Sequence, residues 1–258
     1  MSFLQLRHYL NHHITASSKA GHGIHSPFVY ELATRVLPDK KEDIFDAAER
    51  IRTNMLASSQ SIQITDLGAG SRKTSTTHRQ VREIAKTSLQ PAWRCRFLYR
   101  LAMHQSPGSL LELGTSLGVT TAYLAATNRP VFSMEGCPNI HKLAMQNLKE
   151  TGAENAHLLC GHFDDLLPNF LREHPDCNFA FIDGNHRYDA TLQYYELLKR
   201  HMAPNALMVF DDIYWSEGMK KAWKKIVSQQ NQITIDLFYF GLVYLRPEQA
   251  PEHFKIKL

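Results

Sequence analysis

The chain has no apolar run approaching the ~18 residues of a membrane span, and Met1 to His13 is too broken by Arg7, His8, Asn11 and His12 to serve as a signal peptide. The expectation is a cytoplasmic protein with no membrane partner. Its four cysteines, Cys95, Cys137, Cys160 and Cys177, show no CxxC or other metal-ligand spacing. They are expected to be reduced, buried thiols, Cys160 lying in a strand-like apolar run. There is no block of like charge either: the net charge of +4 and pI near 8.8 are spread along the sequence, which permits nucleic acid binding without arguing for it. What remains is 258 residues with 43% hydrophobic content, enough for one sizeable core and an appendage.

Within that length the most informative stretch is Leu110-Leu111-Glu112-Leu113-Gly114-Thr115-Ser116-Leu117-Gly118, an apolar strand entering a glycine-bracketed turn that opens an alanine-rich helix. Gly114 and Gly118 let main chain approach a ligand, and the N–H groups opening the helix attract an anion. A second apolar strand ends in Glu135, and 135 − 112 = 23 residues is the spacing at which a doubly wound fold places its ribose-binding acid. The turn is GxxxG after an acid; the GxGxxG that seats a dinucleotide pyrophosphate is missing. That favours S-adenosylmethionine over NAD. Strands are expected at 110–113, 130–134, 156–160, 179–183, 207–211, 233–238 and 242–246, alternating with helices at 119–127, 139–151, 189–201 and 217–229, the pattern of a parallel sheet covered on both faces. Only Phe240-Gly241 separates the last two strands, which predicts an antiparallel pair and offers a face for a homodimer.

From Ser109 to Arg246 the chain resembles the class I S-adenosylmethionine-dependent methyltransferases, and within them the catechol and caffeoyl-coenzyme A O-methyltransferases. The resemblance rests on five elements in order: Glu112 to Gly118, Glu135, Gly161-His162-Phe163-Asp164-Asp165, Phe181-Ile182-Asp183 and Phe210-Asp211-Asp212. It implies an α/β, Rossmann-like seven-stranded sheet of order 3-2-1-4-5-7-6 with the last strand antiparallel, preceded here by an N-terminal helical cap: residues 1–108 as cap, 109–258 as the S-adenosylmethionine-binding domain. Cofactor roles then follow from what the ligand offers. Glu112 orients the amino end, Gly114 and Gly118 allow approach, Ser116 and Thr120 present hydroxyls near the carboxylate, and Glu135 takes the ribose diol. By alignment with the family, His162, Phe163 and Asp164 edge the adenine; the same residues also read as a helix start with Asp164 and Asp165 answering the dipole.

Chemistry in an open α/β sheet sits at the carboxyl ends of the strands, where this chain places Asp183, Asp211 and Asp212. Three carboxylates there repel unless a cation or proton compensates, and hard oxygen ligands suit Mg²⁺ or a similar ion. The catechol-type enzymes use two aspartates and an asparagine, from which Asp212 departs. His186 falls close to where those enzymes keep a lysine base and is the candidate general base, with Asp183 as its catalytic companion and as a further cofactor contact. The expected function is divalent-metal-assisted O-methylation of a small hydroxylated acceptor. A metal-independent methyltransferase acting on RNA or protein, or a non-catalytic cofactor-binding module, is the rival. Amino-methylating DNA enzymes want an Asn/Asp-Pro-Pro-aromatic tetrad where this chain has Asp183-Gly184-Asn185-His186, and cytosine-C5 enzymes want Pro-Cys where it has Cys137-Pro138. The lysines Lys220, Lys221, Lys224 and Lys225 face Met219, Ala222, Trp223 and Ile226 across one amphipathic helix. Nucleic acid is therefore not the expected partner.

Three features of the cap are set apart. Ile62 to Gly70 looks like another nucleotide turn but runs into the polar stretch Ser71 to His78, and is expected to be a structural or substrate-side loop. His8 and His12, one helical turn apart without an acidic or cysteine partner, are expected at the surface or as caps. Gly21 to Phe28 reads either as a segment folded over the cofactor mouth or as a plain connection to a helix over 28–37. Acceptor contacts are expected from the cap, Tyr214 and Trp215.

Overall fold

The computed structural model describes residues 3–17, 20–39, 43–65 and 78–258. The N-terminal part is mostly helical: α1 (Phe3–Thr15), α2 (Pro27–Glu31) running into a π-helical turn over Leu32–Val36, a 3₁₀ turn at Asp43–Phe45, α3 (Asp46–Ala57), α4 (Val81–Ser88) and α5 (Ala92–His104). Between α3 and α4 two short strands, β1 (Ser61–Gln63) and β2 (His78–Gln80), pair antiparallel. Residues 66–77, which hold most of the second glycine-rich motif, lie outside the described residues. Ser26 caps α2 through its hydroxyl, which accepts from the Val29 N–H, and Pro27 occupies the first turn, where its missing N–H costs nothing. The segment before it buries Ile24 in the core, so Gly21 to Phe28 is a connection and not a cover over the cofactor mouth.

The rest alternates strand and helix: β3 (Leu110–Leu113), α6 (Val119–Ala125), β4 (Val131–Glu135), α7 (Pro138–Thr151), β5 (Ala156–Cys160), α8 (Phe163–Glu173), β6 (Phe179–Ile182), α9 (Tyr188–His201), β7 (Leu207–Asp211), α10 (Glu217–Val227), β8 (Gln232–Asp236), β9 (Phe240–Leu245) and β10 (Glu252–Lys255). These strands form one sheet of order β10-β8-β9-β7-β6-β3-β4-β5. The expected strand count is therefore corrected: among the described residues the sheet has eight strands, with β9, the seventh, as the antiparallel member and β10 added at the edge, parallel to β8. β10 follows Pro251 directly and its four residues, Glu252 to Lys255, are too short and polar a run for the pattern to announce it. It covers β8, and β8 and β9 are buried along their whole lengths, so the strand pair offered as a dimer face is not exposed.

Alternation along each strand sorts the core into two layers. Leu110, Phe179, Phe181, Leu207 and Val209 face the cap, packing with Val29, Leu32, Phe97 and Leu98. Leu111, Leu113, Ala180, Ile182, Met208 and Phe210 face the other way, onto Leu167 and Phe170 of α8, Tyr194 and Leu198 of α9, and Trp223 and Ile226 of α10. Among the described residues no helix is long and apolar enough to cross a membrane. All four cysteines are free; Cys95, Cys137 and Cys177 are buried, but Cys160, expected inside, is exposed because β5 is an edge strand of the sheet.

The N-terminal histidines are also corrected. His12 is buried, its Nε2 lying 3.2 Å from Asp236 Oδ1, while Tyr214 donates to Asp236 Oδ2 at 2.6 Å and the Phe238 N–H donates to Oδ1 at 2.9 Å. Burial alone would raise the Asp236 carboxyl, but these partners outweigh it and hold it below its usual range. His8 stacks on Tyr214 and meets Glu217 at 3.6 Å. Ser17 exchanges main-chain hydrogen bonds with Lys255 and Lys257, so the end of α1 is fastened to β10.

Candidate active site

A cavity of about 610 Å³ opens at the carboxyl ends of the central strands, walled on the sheet side by the turns after β3, β4, β5, β6 and β7 and on the other by α4 and the start of α5. Gly114, at φ +106°, is where the main chain passes closest: a Cβ there would overlap the Asp183 carbonyl. Only glycine fits that combination of left-handed backbone and contact. Ser116 adopts φ 48° and its N–H donates to Glu135 Oε2 at 3.0 Å, while the Cys137 N–H donates to Oε1 at 2.8 Å. Burial raises the Glu135 carboxyl above its ordinary value, with these N–H groups working against it. Glu135 thus stands at the cavity wall with its orientation fixed, as a diol acceptor needs.

Of the residues assigned to the cofactor, Gly114, Ser116, Glu135, His162, Phe163 and Asp183 line this cavity. Glu112, Gly118, Thr120 and Asp164 do not. Glu112 shares the face of Leu110, which turns its carboxyl under α6, where Thr121 and Ser133 donate to Oε2 at 2.5 and 2.6 Å. It is fully buried, its Oε1 has no partner among the described residues, and burial pushes its carboxyl up to about 8. Glu112 therefore braces the turn from below instead of meeting ligand. Gly118 packs on Ala144 and Leu148 of α7, and buried Thr120 faces Cys95. Asp164 is exposed at the start of α8, accepting from Tyr194 Oη at 3.0 Å, and His162 caps that helix by accepting from the Asp164 N–H.

At the other end of the cavity the two-residue period of β6 and β7 puts Asp183 and Asp211 on the cap-facing side, in line with Phe181 and Val209. Asp212 falls beyond the last residue of β7, in a left-handed conformation with φ 51°. It lines the cavity, yet the third member of the cluster is His186: one ligand atom each from Asp183, His186 and Asp211 lie within 4.8 Å of one another. His186 Nε2 is 3.5 Å from Asp183 Oδ1. Burial lowers the imidazole, but its hydrogen bond to Asp183 and the charges of Asp183 and Asp212 outweigh that and raise it. Burial, then the charges of Asp183 and Asp212, hold Asp211 well above the carboxylate range. Asp212 is raised by burial and partly relieved by His186.

No motif marks the cap residues that complete this end. Gln90 Nε2 donates to Asp183 Oδ2 at 2.9 Å and to Asp211 Oδ2 at 2.7 Å, and Arg94 Nη1 donates to Gln90 Oε1 at 3.1 Å. The Arg94 guanidinium stacks 4.0 Å from the Tyr239 ring centre and opposes the charge of Asp211 and Asp212. Ser88 Oγ meets Ser116 Oγ at 2.8 Å, tying α4 to the cofactor turn. Trp215 lines the cavity as expected, whereas Tyr214 is turned toward Asp236. Ile64, Thr65 and Arg79, which flank residues 66–77, also line it.

The donor set of Asp183, His186 and Asp211 fits a divalent cation. The carboxylate and imidazole donors suit one, and Asp211 Oδ1 is buried with no partner among the described residues.

Comparison with known proteins agrees with this geometry. Residues 111–213 match a family described as a methyltransferase domain. No curated protein matches the chain. Among solved structures, an O-methyltransferase from Streptomyces achromogenes involved in tomaymycin synthesis, in complex with S-adenosylmethionine, is 16% identical with a TM-score of 0.57, over 84% of this chain and 95% of that one. An O-methyltransferase from Bacillus cereus in complex with S-adenosylhomocysteine is 15% identical with a TM-score of 0.54, over 84% and 94%. A caffeoyl-coenzyme A O-methyltransferase of Staphylococcus aureus, so named provisionally, is 14% identical with a TM-score of 0.53, over 64% and 88%. With the glycine turn, the fixed acid after the second central strand and the mainly parallel sheet in place, residues 111–213 match a methyltransferase domain, and the chain shares its α/β, Rossmann-like fold with these O-methyltransferase structures.

Proposed function

We propose that the protein transfers a methyl group from S-adenosylmethionine to a hydroxyl oxygen of a small acceptor, with a divalent cation held by Asp183 and Asp211. The observation that carries this reading is the acidic cluster: it opens on the same cavity as Glu135 and the Gly114 turn, so acceptor and cofactor groups would meet across one space. The O-methyltransferases of similar fold support the choice of oxygen as acceptor atom.

In this reading Glu135 accepts from the ribose hydroxyls and Gly114 lets the methionine end approach, while Phe163, packed over Gly184, edges the adenine. When bound, the cation would lower the pKa of the acceptor hydroxyl and fix its position. His186, held beside Asp183, takes the hydroxyl proton as the oxygen attacks the methyl carbon. The carbon–sulfur bond breaks and its electron pair returns to sulfur, leaving neutral S-adenosylhomocysteine. Since the sulfonium is already a good leaving group, positioning and proton removal are what the chain must supply. Arg94 and Trp215 flank the acceptor end.

Isothermal titration of the full chain with S-adenosylmethionine in EDTA, followed by assay of S-adenosylhomocysteine formation with Mg²⁺ and a panel of catechols and other vicinal diols, tests this. The expected result is cofactor binding in EDTA and product only with Mg²⁺ and a diol. Absence of cofactor binding would overturn the whole reading; turnover undiminished in EDTA would remove the cation from it.

A further inference from the structure

Gln90 sits on the connection between α4 and α5, only 6% exposed, and is held at three points. Its main-chain oxygen accepts from Arg52 Nη1 at 2.6 Å, and its side-chain oxygen accepts from Arg94. With Oε1 taken, the amide NH₂ must point at the carboxylates, and that one nitrogen donates to Asp183 Oδ2 and Asp211 Oδ2 together. A cation held by the same two carboxylates would compete with this nitrogen for their oxygens. The amide carries no net charge, so it satisfies two oxygens without neutralising the pair. Asp211 Oδ1 stays buried without a partner among the described residues.

From this we infer that Gln90 is an internal competitor for the cation: an ion reaches Asp183 and Asp211 only as the Gln90 side chain leaves them, and this residue sets the affinity of the site. The inference rests on the reading that these two aspartates receive a divalent ion. It places control of that ion in the cap, on a residue 93 positions from one carboxylate and 121 from the other. The competing account is that Gln90 only fastens the cap to the sheet, in which case its loss costs stability and leaves ion affinity unchanged.

Mn²⁺ is the probe, titrated into the full chain by calorimetry and by the resonance signal of free Mn²⁺, for the wild type, Gln90→Ala, Gln90→Glu and Asp211→Asn. Gln90→Ala should bind Mn²⁺ about tenfold more tightly, roughly the equivalent of one hydrogen bond to a charged group no longer broken. Gln90→Glu should bind more tightly still, because a third carboxylate joins the set, and Asp211→Asn should bind least. Gln90→Leu, close in shape to glutamine, answers the same question if the alanine variant does not fold. Equal Mn²⁺ affinity in the wild type and both apolar variants overturns the inference, as does weaker binding in them. S-adenosylmethionine affinity is measured on the same samples. Retained cofactor binding with Mn²⁺ bound by none of the proteins ends both this inference and the cation's part in the proposed function. Mn²⁺ bound equally by the wild type and Gln90→Ala ends this inference alone.

Discussion

At the cofactor end of the cavity Glu135 is held by main-chain N–H groups 2 and 19 residues away, whereas at the acidic end Asp183 and Asp211 are held by a side chain 93 and 121 residues away. The first arrangement is local: a strand, a turn and a helix start bring their own donors, and backbone conformation at Gly114 and Ser116 does most of the work. The second is assembled from the cap and two strand ends. One end should therefore fail through backbone geometry, and the other through changes of side-chain charge that leave the backbone alone.

The largest effect should come from the backbone. Gly114→Ala forces a Cβ into the Asp183 carbonyl at a positive φ, and should cost roughly 3 kcal/mol of stability together with cofactor binding. Urea denaturation and titration with S-adenosylhomocysteine read both, and a variant with wild-type affinity would break the contrast between the two ends.

Next comes a crossed pair. Glu135→Ala should weaken cofactor affinity by about 10- to 100-fold, the range of a lost charge-assisted hydrogen bond, with folding intact. Asp211→Asn should leave cofactor affinity within about twofold while removing most turnover, since a mutation can cut transition-state binding without touching ground-state binding. Calorimetry and a product assay on both variants give a two-by-two result. Equal losses of cofactor affinity in the two would mean that the ends do not act separately.

The last effect is a pH dependence beneath the turn, silent in acid. Burial lifts Glu112 from 4.5 to about 8. Because the folded value is the higher one, the stability it contributes is complete below about pH 4.5 and is lost as pH rises through about 8. Glu112→Gln should match the wild type in acid and exceed it by a few kcal/mol at pH 9. Parallel stability curves for the two proteins between pH 5 and 9 would show that Glu112 does not titrate in this window.

The same division explains what could be read from the sequence. Leu110 to Gly118 and Glu135 declared themselves because their pattern, spacing and glycines lie within one βα unit, and the alternation of elements from 110 to 245 followed from hydrophobic periodicity. Glu112 shares the cap-facing side with Asp183 but lies inside β3, opposite Phe181 and two residues short of the strand-end level where Asp183 opens on the cavity, and that depth has no signature in the sequence. His12 reads as a surface residue because its partner, Asp236, lies 224 positions away. Gln90 and Arg94 carry no signature at all: a glutamine before Pro91 marks a helix boundary, and only tertiary packing turns it toward two carboxylates.

Asp211 and Asp212 are neighbours whose charges oppose one another, yet their backbones differ, one ending a strand on the cap side and the other turning a left-handed corner with φ 51°. The dipeptide is therefore not a unit that can be deleted together and interpreted. Replacing both would blend the loss of a buried carboxylate with the bending of a corner that asparagine tolerates and a β-branched residue does not. Asp212→Asn keeps the corner and removes the charge, so what each aspartate contributes can be read only one substitution at a time.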